Sequence, residues 1–315
     1  MSENEPGESW ERDVLQKLAT AALSEQRRAR NWSIFFKMLA FAYLFILLFV
    51  ALGWIGKGEV SVPGAHTALV ELSGVIAQDK PGNADDVMAG LKEAFESTGT
   101  KGVILRINSP GGSPVQAGYI NAEIRRLRGL HPDIPLYAVV EDICASGGYY
   151  VAAAADKIFV DKASVVGSIG VLFDGFGFTR AMEKLGIERR LLTAGNNKGF
   201  LDPFSPLDSR QKEYAREMLG EIHRQFIQAV RIGRGKRLKE TPEMFSGLVW
   251  TGEKSVQMGL ADALGSVGYV AREIIKAEDV VNYTRRENLA ERLARRFGAA
   301  LGEALVRGQA PAGMR

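Results

Sequence analysis

From Met38 to Ile55 the chain runs eighteen residues without a charge. As a helix this stretch rises about 27 Å, close to the hydrocarbon thickness of a bilayer. A soluble helix seldom stays apolar on every face, so the run predicts a membrane anchor over residues 34–56, with Lys37 at its edge. Trp32 and Trp54 sit near its ends as interfacial anchors, with Tyr43 between them. Arg27, Arg28 and Arg30 precede it, and only Lys57 lies just after. That asymmetry puts residues 1–33 in the cytoplasm and the bulk of the chain outside it. The competing reading is a cleaved signal peptide. Against it, over thirty residues precede the run and no clear A-x-A site follows, so an uncleaved anchor is expected.

After a glycine- and proline-containing linker, 57–66, strand and helix patterns alternate. Strands are expected at Thr67–Leu72, Gly102–Ile107, Leu136–Val140, Lys157–Val160 and Glu188–Thr193. Helices are expected at Ala84–Ser97, Val115–Arg128, Thr179–Leu185, Asp208–Arg231, Thr251–Met258 and Val267–Ile275. This alternation predicts an α/β domain over 67–283 with a mostly parallel sheet and right-handed crossovers. At 46% hydrophobic and 24% charged, the 315-residue chain has the material for a sizeable core. Gly233–Lys239 reads as a solvated basic turn. Residues 284–315 read as an amphipathic helix, Glu287–Val306, and a tail. A net charge of +3 with dispersed basic residues gives no case for nucleic acid. Cys144 stands alone, which excludes an internal disulfide and four-cysteine zinc sites, and it reads as a small buried residue at a strand end.

Chemistry is expected at Ala145-Ser146-Gly147-Gly148-Tyr149-Tyr150, where a strand turns sharply into an alanine-rich helix. Such a turn exposes a serine hydroxyl beside unpaired backbone N–H groups, which suits a nucleophile that must hold an oxyanion. The plain alternative is a helix-capping serine. None of the three histidines, His66, His131 and His223, lies in a glycine-framed turn where it could serve as the base. A desolvated lysine can take that role. The best placed is Lys198, in the loop Thr193–Phe200, although a loop lysine is ordinarily just a solvated charge. Ser109-Pro110-Gly111-Gly112 forms a second strand-to-helix turn, able to supply another amide to the same carbonyl oxygen. Ser168, between Gly167 and Gly170, is either a turn serine or the group that orients the lysine amine.

Together the segments NSPGG (108–112), ASGGYY (145–150), VGSIGV (166–171) and TAGNNKGFLDPF (193–204) resemble signal peptide peptidase A, the Ser-Lys membrane peptidase family. Lys198 follows Ser146 by 52 positions and Ser168 by 30, spacing similar to that of the short, single-repeat members. The resemblance implies a ClpP/crotonase-like fold of repeated ββα units. It implies that Ser146 is the nucleophile and Lys198 the general base, that Ser168 orients Lys198, and that the amides of Gly111 and Gly147 form the oxyanion hole. It further implies a membrane-anchored serine endopeptidase needing neither metal nor cofactor. Such enzymes sit in the inner (cell) membrane with the catalytic domain on the periplasmic side. Their substrates are cleaved signal peptides and other apolar peptides. They form ring-like homo-oligomers in which serine and lysine come from neighbouring protomers. The rivals are a non-proteolytic membrane scaffold of the same fold and a crotonase-type acyl-CoA enzyme. The latter conflicts with a domain beyond the membrane, out of reach of cytoplasmic CoA.

Overall fold

The computed structural model describes residues 6–51 and 64–285. The chain divides into two units, with the break near residue 61. In the first, Pro6–Ala51 form one continuous helix, α1. Its Glu25–Phe49 stretch is long and apolar enough to cross a membrane. Its side chains from Trp32 to Leu48 are exposed. Most of the expected linker (57–63) and nearly all of the amphipathic segment expected at 284–315 lie outside the described residues.

The second unit is built on parallel strands. β1 (His66–Ser73), β2 (Thr100–Ser109) and β3 (Leu136–Ala145) pair side by side, separated by α2 (Ala84–Glu96) and α3 (Pro114–Leu130). Parallel strands sandwiched between helices are buried on both faces, and these read as nearly continuous apolar runs. Ala68, Val70, Leu72, Val103, Leu105 and Ile107 form one face, packed with α2 and α3. Leu69, Ile104 and Val139 form the other, under Val270 and Ala271. The period of two that separates these sets is that of a strand. Each fully buried leucine or isoleucine contributes about 1.5–3 kcal/mol. Caps set the helix starts: Asn83 accepts from the Asp86 N–H, and Ser113 from the Gln116 N–H ahead of Pro114.

β3 forks the sheet. Its first half pairs with β4 (Lys157–Val160) and its last residues, Ile143–Ala145, with β5 (Val165–Gly167). The short helix α4 (Gly147–Ala152) directly follows β3. The path runs β6-β5-β3-β2-β1-β8, with β6 (Val249–Thr251) antiparallel to β5 and β8 (Val280–Asn282) parallel to β1. β7 (Ala263–Leu264) extends the β4 branch, following α7 (Gly252–Gln257). α8 (Val267–Tyr269) continues as a π-helical turn to Ile275.

Two expectations are corrected. The strand expected at Glu188–Thr193 does not form; the segment is exposed and has no neighbouring strand to complete its hydrogen bonds. Indeed no residue from Gly170 to Tyr214 is buried, although this arm, which carries α5 (Thr179–Lys184), is rich in Phe and Leu. Leu172 is 81% and Leu192 96% exposed, so the arm presents large apolar side chains to solvent. Second, the "solvated" basic turn hides a buried guanidinium. Arg234 ends α6 (Ser209–Arg234) at 1% exposure, donating to the Gly259 carbonyl (2.9 Å) and to Asp262 (2.8 Å).

Candidate active site

The ends of β2 and β3 meet. Ser109 pairs with Cys144, and the Pro110–Gly112 turn lies against the start of α4. The turn is held from the other side by Ile76, whose N–H donates to Gly111 O and whose carbonyl accepts from Ser113 N–H, both at 2.8 Å. Gly111 has φ of 100°. A Cβ there would lie 2.6 Å from Gly147 N and 2.7 Å from Ser146 Cβ. Both obstacles belong to the site itself, and neither is a flexible side chain. Gly111→Ala is therefore expected to slow substrate turnover at least about a hundredfold, the cost of displacing reacting groups by an ångström. Turnover within threefold of the parent would show that the two turns need not touch.

Ser146 sits at the capping position of α4 without capping it: its side chain makes no hydrogen bond to the helix. The plain alternative is thus not realised. Its backbone is strained, with φ 51° and ψ −122°. A non-glycine residue held there costs on the order of 1–3 kcal/mol and persists only where its surroundings impose it. The restraints are visible. Ser146 N–H donates to Gly167 O (2.9 Å) and Tyr150 N–H to Ser146 O (3.0 Å). Asn121 Nδ2 donates to Tyr150 O (2.7 Å), and the buried Tyr149 hydroxyl donates to Leu260 O (2.7 Å). Burial pushes both the Tyr149 phenol and the Cys144 thiol up, so both stay protonated.

Two amides face this turn without a protein partner among the described residues. Gly147 N–H opens α4, and Gly112 N lies 3.3 Å from where a Gly147 Cβ would stand. The Gly111 N–H, expected in this role, donates to Ser109 Oγ at 3.2 Å, and that hydroxyl in turn donates to Gly74 O. The Gly111 amide is thus engaged by a side chain two residues before it.

Ser168 occupies the equivalent place on the next strand. Ala145 pairs with Gly167, so Ser146 and Ser168 each follow a register partner. Ser168 also has φ of 51°. Its N–H donates to Leu248 O at 2.7 Å. The two serines thus stand side by side at the carboxyl ends of neighbouring strands.

Lys198 is different. It lies exposed in the Gly195–Phe200 turn of the arm, and among the described residues no hydrogen bond or ion pair engages its amine. Helix α6 ties the lysine loop and the serine helix at different points. Near its start, Gln211 accepts the Leu201 N–H (3.0 Å) and Tyr214 packs on Phe200 (5.7 Å between rings). Towards its end, Phe226 packs on Tyr150 of α4 (5.2 Å). Twelve residues of helix separate Tyr214 from Phe226, about 18 Å of rise. The lysine loop and the serine helix hang from opposite parts of one rod. Beside that loop, an apolar groove of about 860 Å³ opens between the arm and α6, with Phe173, Phe178, Leu191 and Leu219 in its walls.

Residues 129–281 match the model of peptidase family S49. That range holds Ser146, Ser168 and Lys198 but not the Gly111 turn. A candidate protease of Methanocaldococcus jannaschii is 31% identical over 225 residues, 68% of this chain and 71% of that one. A candidate signal peptide peptidase SppA of Enterococcus faecium is 31% identical over 183 residues, 58% of this chain and 53% of its own. A protein of Brucella melitensis named Na(+)/H(+) antiporter NhaA is 44% identical over 177 residues, 56% of this chain. The match spans 24% of that antiporter, so the chain aligns with about a quarter of one relative and about half of another. Given the two facing strand turns and these matches, the chain belongs to peptidase family S49, among the relatives of signal peptide peptidase A.

Proposed function

We propose that the protein is a serine endopeptidase anchored in the membrane by α1, with residues 1–33 cytoplasmic and the 67–283 domain on the other side. The observation that carries the reading is the uncapped Ser146, held in a strained turn beside two open amides. In the proposed reaction Ser146 Oγ attacks the scissile carbonyl while an amine, Lys198, takes its proton. The oxyanion rests on Gly147 N–H and, since Gly111 N–H is engaged by Ser109, on Gly112 N–H. The lysine returns the proton to the leaving amine and the C–N bond breaks. Water then attacks the acyl-serine, Lys198 accepts its proton, and the acid product leaves as Ser146 is reprotonated.

With the lysine loop and α4 tied to different parts of α6, and no bond between Lys198 and Ser146 among the described residues, the proposed Lys198 comes from a neighbouring copy, bound through the exposed apolar arm in a ring. Ser168, next to Ser146, orients the incoming amine. The apolar groove beside the lysine loop favours apolar substrates, such as signal peptides left in the membrane after cleavage. The test is hydrolysis of an apolar signal-peptide sequence by the detergent-solubilised assembly, with mass spectrometry of the trapped acyl-enzyme. The acyl group is expected on Ser146. Cleavage that persists undiminished in Ser146→Ala would sink the assignment, and an assembled parent protein that cleaves nothing would favour the scaffold reading.

A further inference from the structure

Midway along α6, His223 Nε2 lies 3.1 Å from the carbonyl oxygen of Ile169. A carbonyl only accepts, so the ring nitrogen is the donor. The bond forms with either the Nε2–H neutral ring or the charged ring, so it does not depend on the charge of His223. Ile169 is fully buried and directly follows Ser168. On the other side, Ser168 N–H is held by Leu248 O, and Gly170 N–H donates to Ser168 O (2.9 Å), closing a turn around Ile169. Ser168 keeps a left-handed φ that a serine does not hold unaided. Immediately beyond Gly170 the chain leaves the core as the exposed arm. The His223 bond is thus the side-chain tie on the segment that carries Ser168, at the point where the arm would otherwise pull on it.

We propose that His223 is a positioning residue, whose Nε2–H fixes the Ile169 carbonyl and thereby aims the Ser168 hydroxyl at the catalytic amine. This rests on the Ser-Lys reading and on the role given there to Ser168. Packing alone does not account for the arrangement. The apolar seam of α6 against α4 is made by Phe226 and Val230, while His223, one turn earlier, spends its polar atom on the Ser168 segment.

The test uses the full-length assembled protein and four variants. His223→Leu removes the donor, and His223→Gln offers an amide N–H at a similar reach. Ser168→Ala removes the group being aimed, and the fourth variant combines His223→Leu with Ser168→Ala. His223→Leu is expected to lower kcat about tenfold with KM within about twofold, as for a catalytic group left an ångström loose. It should also move the acid limb of the pH–rate profile, which reports the base in the site, upwards by about half a unit or more. His223→Gln should recover most of kcat and the parent profile. The double variant should be no slower than Ser168→Ala, because both act through one group. Parent-like kcat in His223→Leu, an unmoved acid limb, or additive losses in the double variant would overturn the proposal. Full activity in Ser168→Ala would instead overturn the underlying role of Ser168. Should His223→Leu fail to assemble, His223→Asn, which keeps a donor but withdraws it by about 1 Å, takes its place with the same expected loss.

Discussion

Chains carrying Ser146→Ala and chains carrying Lys198→Ala, each silent alone, are expected to regain activity when they assemble together. In the proposed mechanism each substitution removes one member of a pair that acts as a unit, so each alone should lose at least about a thousandfold in kcat. If each site takes its serine from one chain and its lysine from the next, random mixing at equal amounts makes about one site in four complete, as in a head-to-tail ring. Differently tagged chains, co-expressed and purified through both tags, should hydrolyse an apolar peptide at a comparable fraction of the parent rate. A doubly purified assembly that stays silent would mean that serine and lysine must come from the same chain. The expectation follows from α6, which ties the lysine loop at Tyr214 and the serine helix at Phe226. No intrachain bond joins the two groups among the described residues.

The second large effect concerns stability. Asp262→Ala is expected to destabilise the domain by about 3–5 kcal/mol, the usual cost of stranding a buried charge. Asp262 accepts from Arg234 Nη1 (2.8 Å), Arg237 Nη1 (3.2 Å) and the Ile158 N–H (2.7 Å). Arg234 is already short of one partner, since its Nη2 is buried with none among the described residues. Removing Asp262 leaves the guanidinium with the Gly259 carbonyl alone. The same cluster carries a pH dependence. Burial raises the Asp262 pKa, but the Arg234 hydrogen bond and charge, aided by Ile158 N–H and Arg237, outweigh it and hold the carboxyl below its ordinary value. A depressed folded-state pKa stabilises fully above the unfolded value and is lost as pH falls through the folded one. Urea unfolding of the parent should therefore weaken on acidification below the ordinary carboxylate range, and Asp262→Asn should remove that part of the slope. Equal stability of Asp262→Ala and parent near neutral pH would contradict this account.

The parts of the fold that sequence reading reached are those decided locally. The apolar runs of β1, β2 and β3 lie within a few residues of what they specify. Arg234 was misjudged because its burial depends on Asp262, 28 residues away, which a reading of Gly233–Lys239 by composition does not weigh. Glu188–Thr193 lies between two helix patterns, where an alternating α/β chain would place a strand, but a strand needs a neighbour, and among the described residues none is provided there. At the site, the motifs located both serine turns. What they left open was how those turns face each other. The Ala145–Gly167 register sets Ser146 beside Ser168, and the Ser109 hydroxyl occupies the Gly111 amide rather than that of Gly112. His223 lacked any sequence signal, because its function is to hold a backbone carbonyl and not to present its ring to solvent.

The separate ties of the lysine loop and the serine helix to α6 also bear on when the proposed enzyme can act. On the proposed arrangement a newly synthesised chain is inactive by itself, since its serine and its lysine serve different sites. On that arrangement, activity would follow the meeting of chains rather than the removal of an inhibitory segment. Cellular dose, rather than processing, becomes the safety catch.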